Sequence, residues 1–580
     1  MRLSPAGWAA ILSLSLCALT AAWLLGSTST VVANEPRFAD VTNKAGLSAF
    51  RNVQGDANAK PHIIEVMGGG SAFLDYNNDG NLDILLVRGS TIEKYRRDGG
   101  DPVCSLYRGD GKGHFTDMTK QAGLADSRGW GMGVAVADYD NDGWQDVYVT
   151  GYGRNFLFHN RHDGTFEEVA EKAGVKGGGW SMGAAFADFD RDGHLDLYVS
   201  NYLQYPLDHL PVHDSSCNYR GISVFCGPRG LPGERDSIYF GDGEGHFHDR
   251  TAELRIDPDK LYGLGVVIAD YDNDGWPDIF VANDLSPNLF YHNLGKGRFE
   301  EIALTANAAF SPDGVEEGNM GADFGDFDND GWLDLYYTTS SFQTDELLQN
   351  NHDGTFTNVS NPAGHGASTY LFVKWGASFA DFDNDGWEDL FVVNGHLYPE
   401  ADKFNLGLVY KQRPLVFLNN GNKTFREVGI DAGLSQPWKS RGLAVGDYDN
   451  DGRLDVLINN LDDGPVLLHN EMPQQHWLLV QCNGTRSNRS AVGARLTLRA
   501  GNLRQIREIK AGLSYLSSND LRVHFGLGGL DKADSLEIRW PSGLTERIEN
   551  IRADQVLKLE EGKSPALSAA VSKDASKRGK

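Results

Sequence analysis

The stretch that decides the fold is "ADYDNDGWQD", residues 137–146, which puts four aspartates and one asparagine into ten positions. The theme returns six times: "LDYNNDGNLD" from Leu74, "ADFDRDGHLD" from Ala187, "ADYDNDGWPD" from Ala269, "GDFDNDGWLD" from Gly325, "ADFDNDGWED" from Ala380 and "GDYDNDGRLD" from Gly446. Carboxylates packed this closely repel one another, so something must hold them folded. Counted from its first aspartate, each run has side-chain oxygens at positions 1, 3, 5 and 9. The seven sets are Asp75, Asn77, Asp79 and Asp83; Asp138, Asp140, Asp142 and Asp146; Asp188, Asp190, Asp192 and Asp196; Asp270, Asp272, Asp274 and Asp278; Asp326, Asp328, Asp330 and Asp334; Asp381, Asp383, Asp385 and Asp389; Asp447, Asp449, Asp451 and Asp455.

Calcium takes six to eight hard oxygens and tolerates irregular geometry, whereas magnesium demands a tighter octahedron. Position 7 can add a backbone carbonyl, and position 6 is always glycine, which lets the loop fold around an ion. The pattern predicts up to seven Ca2+, one per run, as weak structural staples with dissociation constants on the order of 10⁻⁴–10⁻³ M. The first run, with neutral Asn77, is expected to be the weakest. An EF-hand needs a bidentate glutamate at position 12 between helices; here that position is Leu86, Val149, Val199, Val281, Tyr337, Val392 or Ile458. A bare Asp/Asn/Gly turn is the plainer alternative, and seven acidic ninth positions outweigh it.

The runs recur every 50 to 82 residues, and a repeat of that length points to one supersecondary unit per period. Each unit reads as a Gly/Ala-rich strand ending at the run, a β-branched and aromatic strand, an "LF-x-N" strand and an "F-x-D/E-V" strand. Four antiparallel strands per repeat predict an all-β, seven-bladed β-propeller over residues 34–471. The fourth strands start at Phe38, Phe115, Phe166, Phe247, Phe299, Phe356 and Phe425. The first of these precedes any acidic run, and the last unit lacks one, so the N-terminal strand is expected to close the ring and remove an exposed edge. From His476 the pattern is β-rich without acidic runs, which predicts a small β-sandwich or barrel over residues 472–562. Residues 563–580 read as a disordered tail.

Residues 1–33 read as a signal peptide: Arg2, an apolar stretch from Trp8 to Leu25, then Val31 and Ala33 in the small-residue positions. The expected location is secreted or periplasmic, with an uncleaved membrane anchor as the alternative. Cys217 and Cys226 lie close together inside the longest insertion, and export favours a disulfide between them; His209 and His213 just upstream leave a zinc site as the alternative. The formal charge is −27, and 27 carboxylates sit at positions 1, 3, 5 and 9 of the seven runs. Such a chain lacks the basic patches that nucleic acid requires. "RGD" at Arg108–Asp110 falls where sibling repeats have a hairpin turn. Trp130, Trp180 and Trp375 are read as preceding the first strands, and packing between blades is expected of them.

The repeated unit resembles the FG-GAP/VCBS repeat of integrin-α-type propellers. "SNR…GAR", "SYLSSNDLRVHFGLG" and "IRWPSG" are similar to the ASPIC/UnbV domain, a combination found in the cartilage acidic protein family and its bacterial relatives. The resemblance implies secretion, calcium in the acidic loops, a disulfide within "CNYRGISVFCGPRGL", and an extracellular or cell-surface protein or glycan as partner. It implies an adhesion or recognition scaffold and not an enzyme. Loops joining strands two and three lie opposite the acidic loops, so Ser90–Asp101, Tyr202–Arg235 and His396–Pro414 should build the binding face. The alternative is a polysaccharide hydrolase or lyase using that face, with His209, His213, His396 and Glu400 as suspects; no acid–base pair with recognisable spacing supports it.

Overall fold

The structure is a computed structural model describing residues 37–210, 217–403 and 407–563. The signal-peptide reading of residues 1–33, the tail from residue 564 and His213 lie outside these residues. Seven antiparallel blades of four strands stand around an axis, the second extended by a short fifth strand, Asp101–Pro102, paired with Arg128 and Gly129. Blades 1 to 6 begin with Ser71–Leu74, Arg128–Ala137, Ser181–Ala187, Gly263–Ala269, Ala322–Gly325 and Lys374–Ala380. Each second strand starts at a position-9 aspartate, from Asp83 to Asp455, because the run is the turn between strands one and two. Blade 7 consists of Ser440–Gly446, Asp455–Asn460 and Val466–Asn470, and Phe38–Asp40 supplies its outer strand, with Phe38 opposite Asn470.

Aromatic and aliphatic side chains fill the spaces between blades. Phe280, Phe290, Phe324 and Leu335, for example, join blades 4 and 5 in one buried cluster. The tryptophans depart from expectation. Trp130, Trp180 and Trp375 do not separate blades; they gather at one end of the axis with Met67, Met320 and Tyr515, all buried. A helix that the strand-like sequence pattern did not announce, Ile92–Asp98, is N-capped by Thr91 and lays Tyr95 against Trp130.

The second domain has a three-stranded and a four-stranded sheet, including His476–Asn483 and Arg495–Ala500. It is docked on the propeller, and one of its loops enters the axial channel. First strands are the inner edge of each blade, and their amides need partners. The segment 511–519 supplies them. Ser514 exchanges both backbone hydrogen bonds with Ala322 (3.1 and 2.8 Å), and Phe186, Val134 and Phe73 donate N–H groups to Ala511, Leu516 and Ser518 carbonyls (2.8, 3.0 and 3.2 Å). Tyr515 reaches the far end and donates its hydroxyl to the Met67 carbonyl (2.6 Å). Only a glycine permits this at residue 70, where a Cβ would stand 2.0 Å from the Leu516 carbonyl oxygen.

Candidate functional site

The repeat pattern gives all seven acidic loops one hydrogen-bond plan. The position-9 carboxylate accepts two backbone N–H groups and ties strand one to strand three. Asp146 accepts from Tyr139 (3.3 Å) and Asn160 (2.7 Å), and Asp334 from Phe327 (3.3 Å) and Asn350 (2.8 Å). Asp83, Asp196, Asp278, Asp389 and Asp455 repeat the pair. The position-1 carboxylate folds the loop itself: Asp138 accepts from Asp142 (3.0 Å) and Gly143 (2.7 Å). The position-5 carboxylate accepts the position-7 amide, as Asp142 does from Trp144 (2.9 Å), so backbone amides meet three of the four acidic positions and divalent ions alone are not what holds the runs folded.

Position 3 is different. Asp140, Asp190, Asp383 and Asp449 each keep a buried oxygen without a hydrogen-bond partner, a costly state unless a cation meets it. One oxygen each from Asp138, Asp140 and Asp142 lie within 4.8 Å of one another, as do oxygens of Asp188, Asp190 and Asp196. A hard cation with bonds of about 2.3–2.6 Å fits such a cradle. Blades 2, 3, 6 and 7 thus suit an ion best. The other loops have substitutes: Asn77 donates to Asp79 (2.9 Å), Lys423 and Gln349 both donate to Asp328 (2.7 and 2.6 Å), and Arg539 pairs with Asp270.

In the absence of a cation, burial pushes Asp83, Asp138 and Asp326 up to about 8 and Asp146 and Asp188 up to about 7. Three histidines join the loops from third strands. His159 Nδ1 lies 3.2 Å from Asp140, His292 Nδ1 3.0 Å from Asp278 and His469 Nδ1 3.0 Å from Asp455. Hydrogen bonds to Asp140 and Asp146 hold His159 up to about 10. Their signal was in plain view, since each fills the variable place before the asparagine in "FLFHN", "LFYHN" and "VLLHN".

A second overlooked signal is the asparagine at position 4, held at a φ of +54° to +65° that this residue tolerates. Asn78, Asn141, Asn273, Asn329, Asn384 and Asn450 donate to the position-6 glycine carbonyl of the next blade, at 2.9–3.3 Å. The link from blade 3 to blade 4 is missing, because Arg191 stands there. It stacks on Trp276 (5.0 Å) and donates to the Pro541 carbonyl of the second domain (2.8 Å).

The second domain lies over this acidic face. Arg504 donates to the Asp330 carbonyl (2.9 Å), Arg522 to the Asp447 carbonyl (2.9 Å) and Asn450 (2.6 Å), and Gln475 to the Asp383 carbonyl (2.6 Å). Arg495 bridges Asp270, Asn273 and buried Glu508. A cleft of about 580 Å³ remains beside blades 1 and 2, between the Asp75 and Asp138 loops and Arg489, Arg522 and Lys558.

At the opposite end the insertions meet. Cys217 and Cys226 are disulfide-bonded and close the hairpin Asn218–Tyr219/Ile222–Ser223, while Cys104 and Cys482 are buried apart as free thiols. Phe225, from the same insertion, packs on Tyr398 at 4.8 Å. The suspected catalytic group does not assemble as a set: His209 is exposed, His396 is fully buried and Glu400 sits half-buried on a 3-10 turn.

A family model described as FG-GAP-like repeat matches residues 75–149, 138–199, 224–281, 270–337, 326–392 and 406–458, and one described as ASPIC and UnbV matches residues 484–566. Cartilage acidic protein 1 of Mus musculus is 25% identical over 585 residues, covering 93% of this chain and 79% of its own length. The Xenopus tropicalis protein of the same name is 26% identical over 513 residues, covering 82% and 70%. Among solved structures, an Agrocybe aegerita lectin recognising non-reducing terminal N-acetylglucosamine aligns over 68% of this chain and 86% of its own, with 15% identity and a TM-score of 0.39.

Proposed function

This chain belongs to the FG-GAP-like repeat family and carries an ASPIC and UnbV domain; from that premise we propose that it is an exported recognition scaffold. Calcium staples one face of its propeller, and the other face receives an extracellular or cell-surface protein or glycan. The observation that carries this reading is the occupancy of the acidic face. The second domain covers most of the acidic loops, and its segment 511–519 fills the channel, which leaves the insertion face for a partner. The disulfide there and the apolar leader both suit export. Among the described residues no helix is long and apolar enough to cross a membrane, so a membrane enters the reading only if residues 1–33 stay on as an anchor. The four runs with an orphan oxygen at position 3 take calcium first.

The reading is non-catalytic, because His209 and His396 share no environment. Immobilised full-length chain in calcium should capture extracellular material. Charge reversal at exposed insertion-face residues such as Arg220 and Arg229 should abolish capture, and reversal of Lys558 on the second domain should leave it intact. Capture indifferent to the insertion face overturns the assignment of that face. Release of fragments from a polysaccharide replaces it with a hydrolase or lyase.

A further inference from the structure

Where the insertions meet at the end of the axis they enclose a cavity of about 200 Å³. A dry cavity of about 150 Å³ accepts benzene, so this one has room for a ring with a short side chain. Its walls come from separate parts of the chain, among them Met67 before blade 1, Phe225 and Pro228 after the disulfide hairpin, Met320 before blade 5, and Trp375 with Tyr398 in blade 6 and its insertion. Tyr219, Phe225 and Tyr398 pack on one another with ring centroids at 5.3 and 4.8 Å. Residues of its rim, among them Asp284, Leu285 and Leu397, are half-buried.

The charge on this lining is one-sided. Asp284 is its only carboxylate, and no lysine or arginine lines it. Asp284 Oδ2 accepts the Tyr202 hydroxyl (2.6 Å); among the described residues no hydrogen bond reaches Oδ1. The cations nearby have other partners, except that one guanidinium nitrogen of Arg441, Nη2, makes no hydrogen bond. Lys374, behind the wall, donates to the Ser340 and Gln343 carbonyls (2.9 and 2.8 Å) and pairs with Asp345 at 3.4 Å. Arg441 lies 3.9 Å from the Trp375 ring centroid and donates to the Val66 (2.7 Å), Gly395 (3.2 Å) and Ser440 (2.8 Å) carbonyls. Arg229 is paired with Glu316 at 3.0 Å. His396, the remaining titratable ring on the lining, stays neutral, because burial and then Arg441 push it down to about 3.

We propose that this cavity binds an organic ammonium group on an apolar body, with Asp284 as its counter-ion and the aromatic wall around the body. Aromatic rings near a carboxylate favour such cations by the attraction between positive charge and ring faces. A divalent metal would find one carboxylate where it needs several oxygens, and an anion would meet Asp284 head-on. The proposal rests on the insertion face being the recognition face and names the chemistry that face selects. The ammonium has two sources, a free small amine or a lysine side chain of a partner protein.

The test uses the full chain in calcium with three probes: phenethylamine, its neutral counterpart 2-phenylethanol, and Nα-acetyl-lysine amide. Binding is read by calorimetry and ligand-observed NMR. An ammonium probe should bind at least about tenfold more tightly than the alcohol, the discrimination expected of a charge-assisted hydrogen bond. Asp284→Asn should erase that preference. Leu397→Trp, which fills the cavity from its rim without touching the Tyr202 bond, should remove all binding while the melting temperature holds. Tight lysine-amide binding assigns a partner's lysine, and preference for phenethylamine assigns a free amine. Equal binding of amine and alcohol, binding indifferent to Asp284→Asn, or no binding of any probe overturns the proposal. Partner capture that persists in Leu397→Trp separates that failure from failure of the recognition-face reading.

Discussion

The two ends of the propeller axis are built by opposite rules. At the acidic end one ten-residue plan is repeated seven times, and every loop uses the same amide-to-carboxylate bonds. At the insertion end no two blades agree: a helix, a disulfide hairpin and a 3-10 turn come from different blades, and the chain around the hairpin and just before the 3-10 turn lines a cavity. Repetition makes a closed, mutually bonded ring that the chain then covers with its own second domain. Irregularity makes a concave site lined by one carboxylate, Asp284. On the proposed reading, structure resides at the first end and selectivity at the second.

Chelation should break the acidic end hardest, and pH shows how. Asp83, Asp138 and Asp326 sit at about 8 when no ion is present, against about 3.9 in an unfolded chain. Their folded-state values are raised, so the stripped protein binds more protons folded than unfolded, and its stability falls as pH rises from about 4 to about 8. With calcium bound, protons compete with the ion for the same oxygens, and stability falls as pH drops. Urea midpoints measured across this window with EDTA and with calcium should therefore slope in opposite senses and lie furthest apart near the alkaline end. Parallel profiles would show that the loops hold no ion.

Next in size is the buried staple. Asp334→Ala strands the Phe327 and Asn350 amides inside the protein, at about 1–3 kcal/mol for each unsatisfied group. The loss should be global, read as a lower urea midpoint at unchanged slope. The matching lesion at the other end is Cys217→Ser. It releases a nine-residue separation, about 2–3 kcal/mol of chain entropy by the loop-closure relation. The cost should stay local: faster proteolysis near the hairpin, with the propeller's melting transition in place. A common global loss in both variants would erase the distinction between a cooperative ring and an appended site.

Much of the ring was legible because period and local structure coincide. All seven fourth strands start at the expected phenylalanines, and Phe38–Asp40 closes blade 7. The position-4 asparagines and third-strand histidines were equally visible but bond across blades or to neighbouring strands, so only the assembled ring gives them a role. The threading of residues 511–519 had no periodic signal. It depends on small residues such as Gly70 and Ala72 meeting Leu516 and Ser518 across more than 400 positions of sequence. The cavity was illegible for the same reason, since its walls share no repeat register.

The smallest effect sharpens the comparison within the acidic end itself. The blade 5 loop meets Lys423, from the turn between the third and fourth strands of blade 6, where an ion would otherwise be wanted, and its ammonium lies 2.7 Å from fully buried Asp328 Oδ2. The lysine is half-exposed, so the pair is worth no more than about 1 kcal/mol. Lys423→Ala leaves Gln349 as the remaining donor to that oxygen and makes loop 5 resemble loops 2, 3, 6 and 7. In EDTA the variant should lose up to about 1 kcal/mol; in calcium it should recover the loss and bind one more ion per chain by equilibrium dialysis. Recovery without an added ion would mean that Gln349 alone satisfies Asp328. An added ion would establish that a side-chain cation and a divalent ion are interchangeable solutions to the same buried charge.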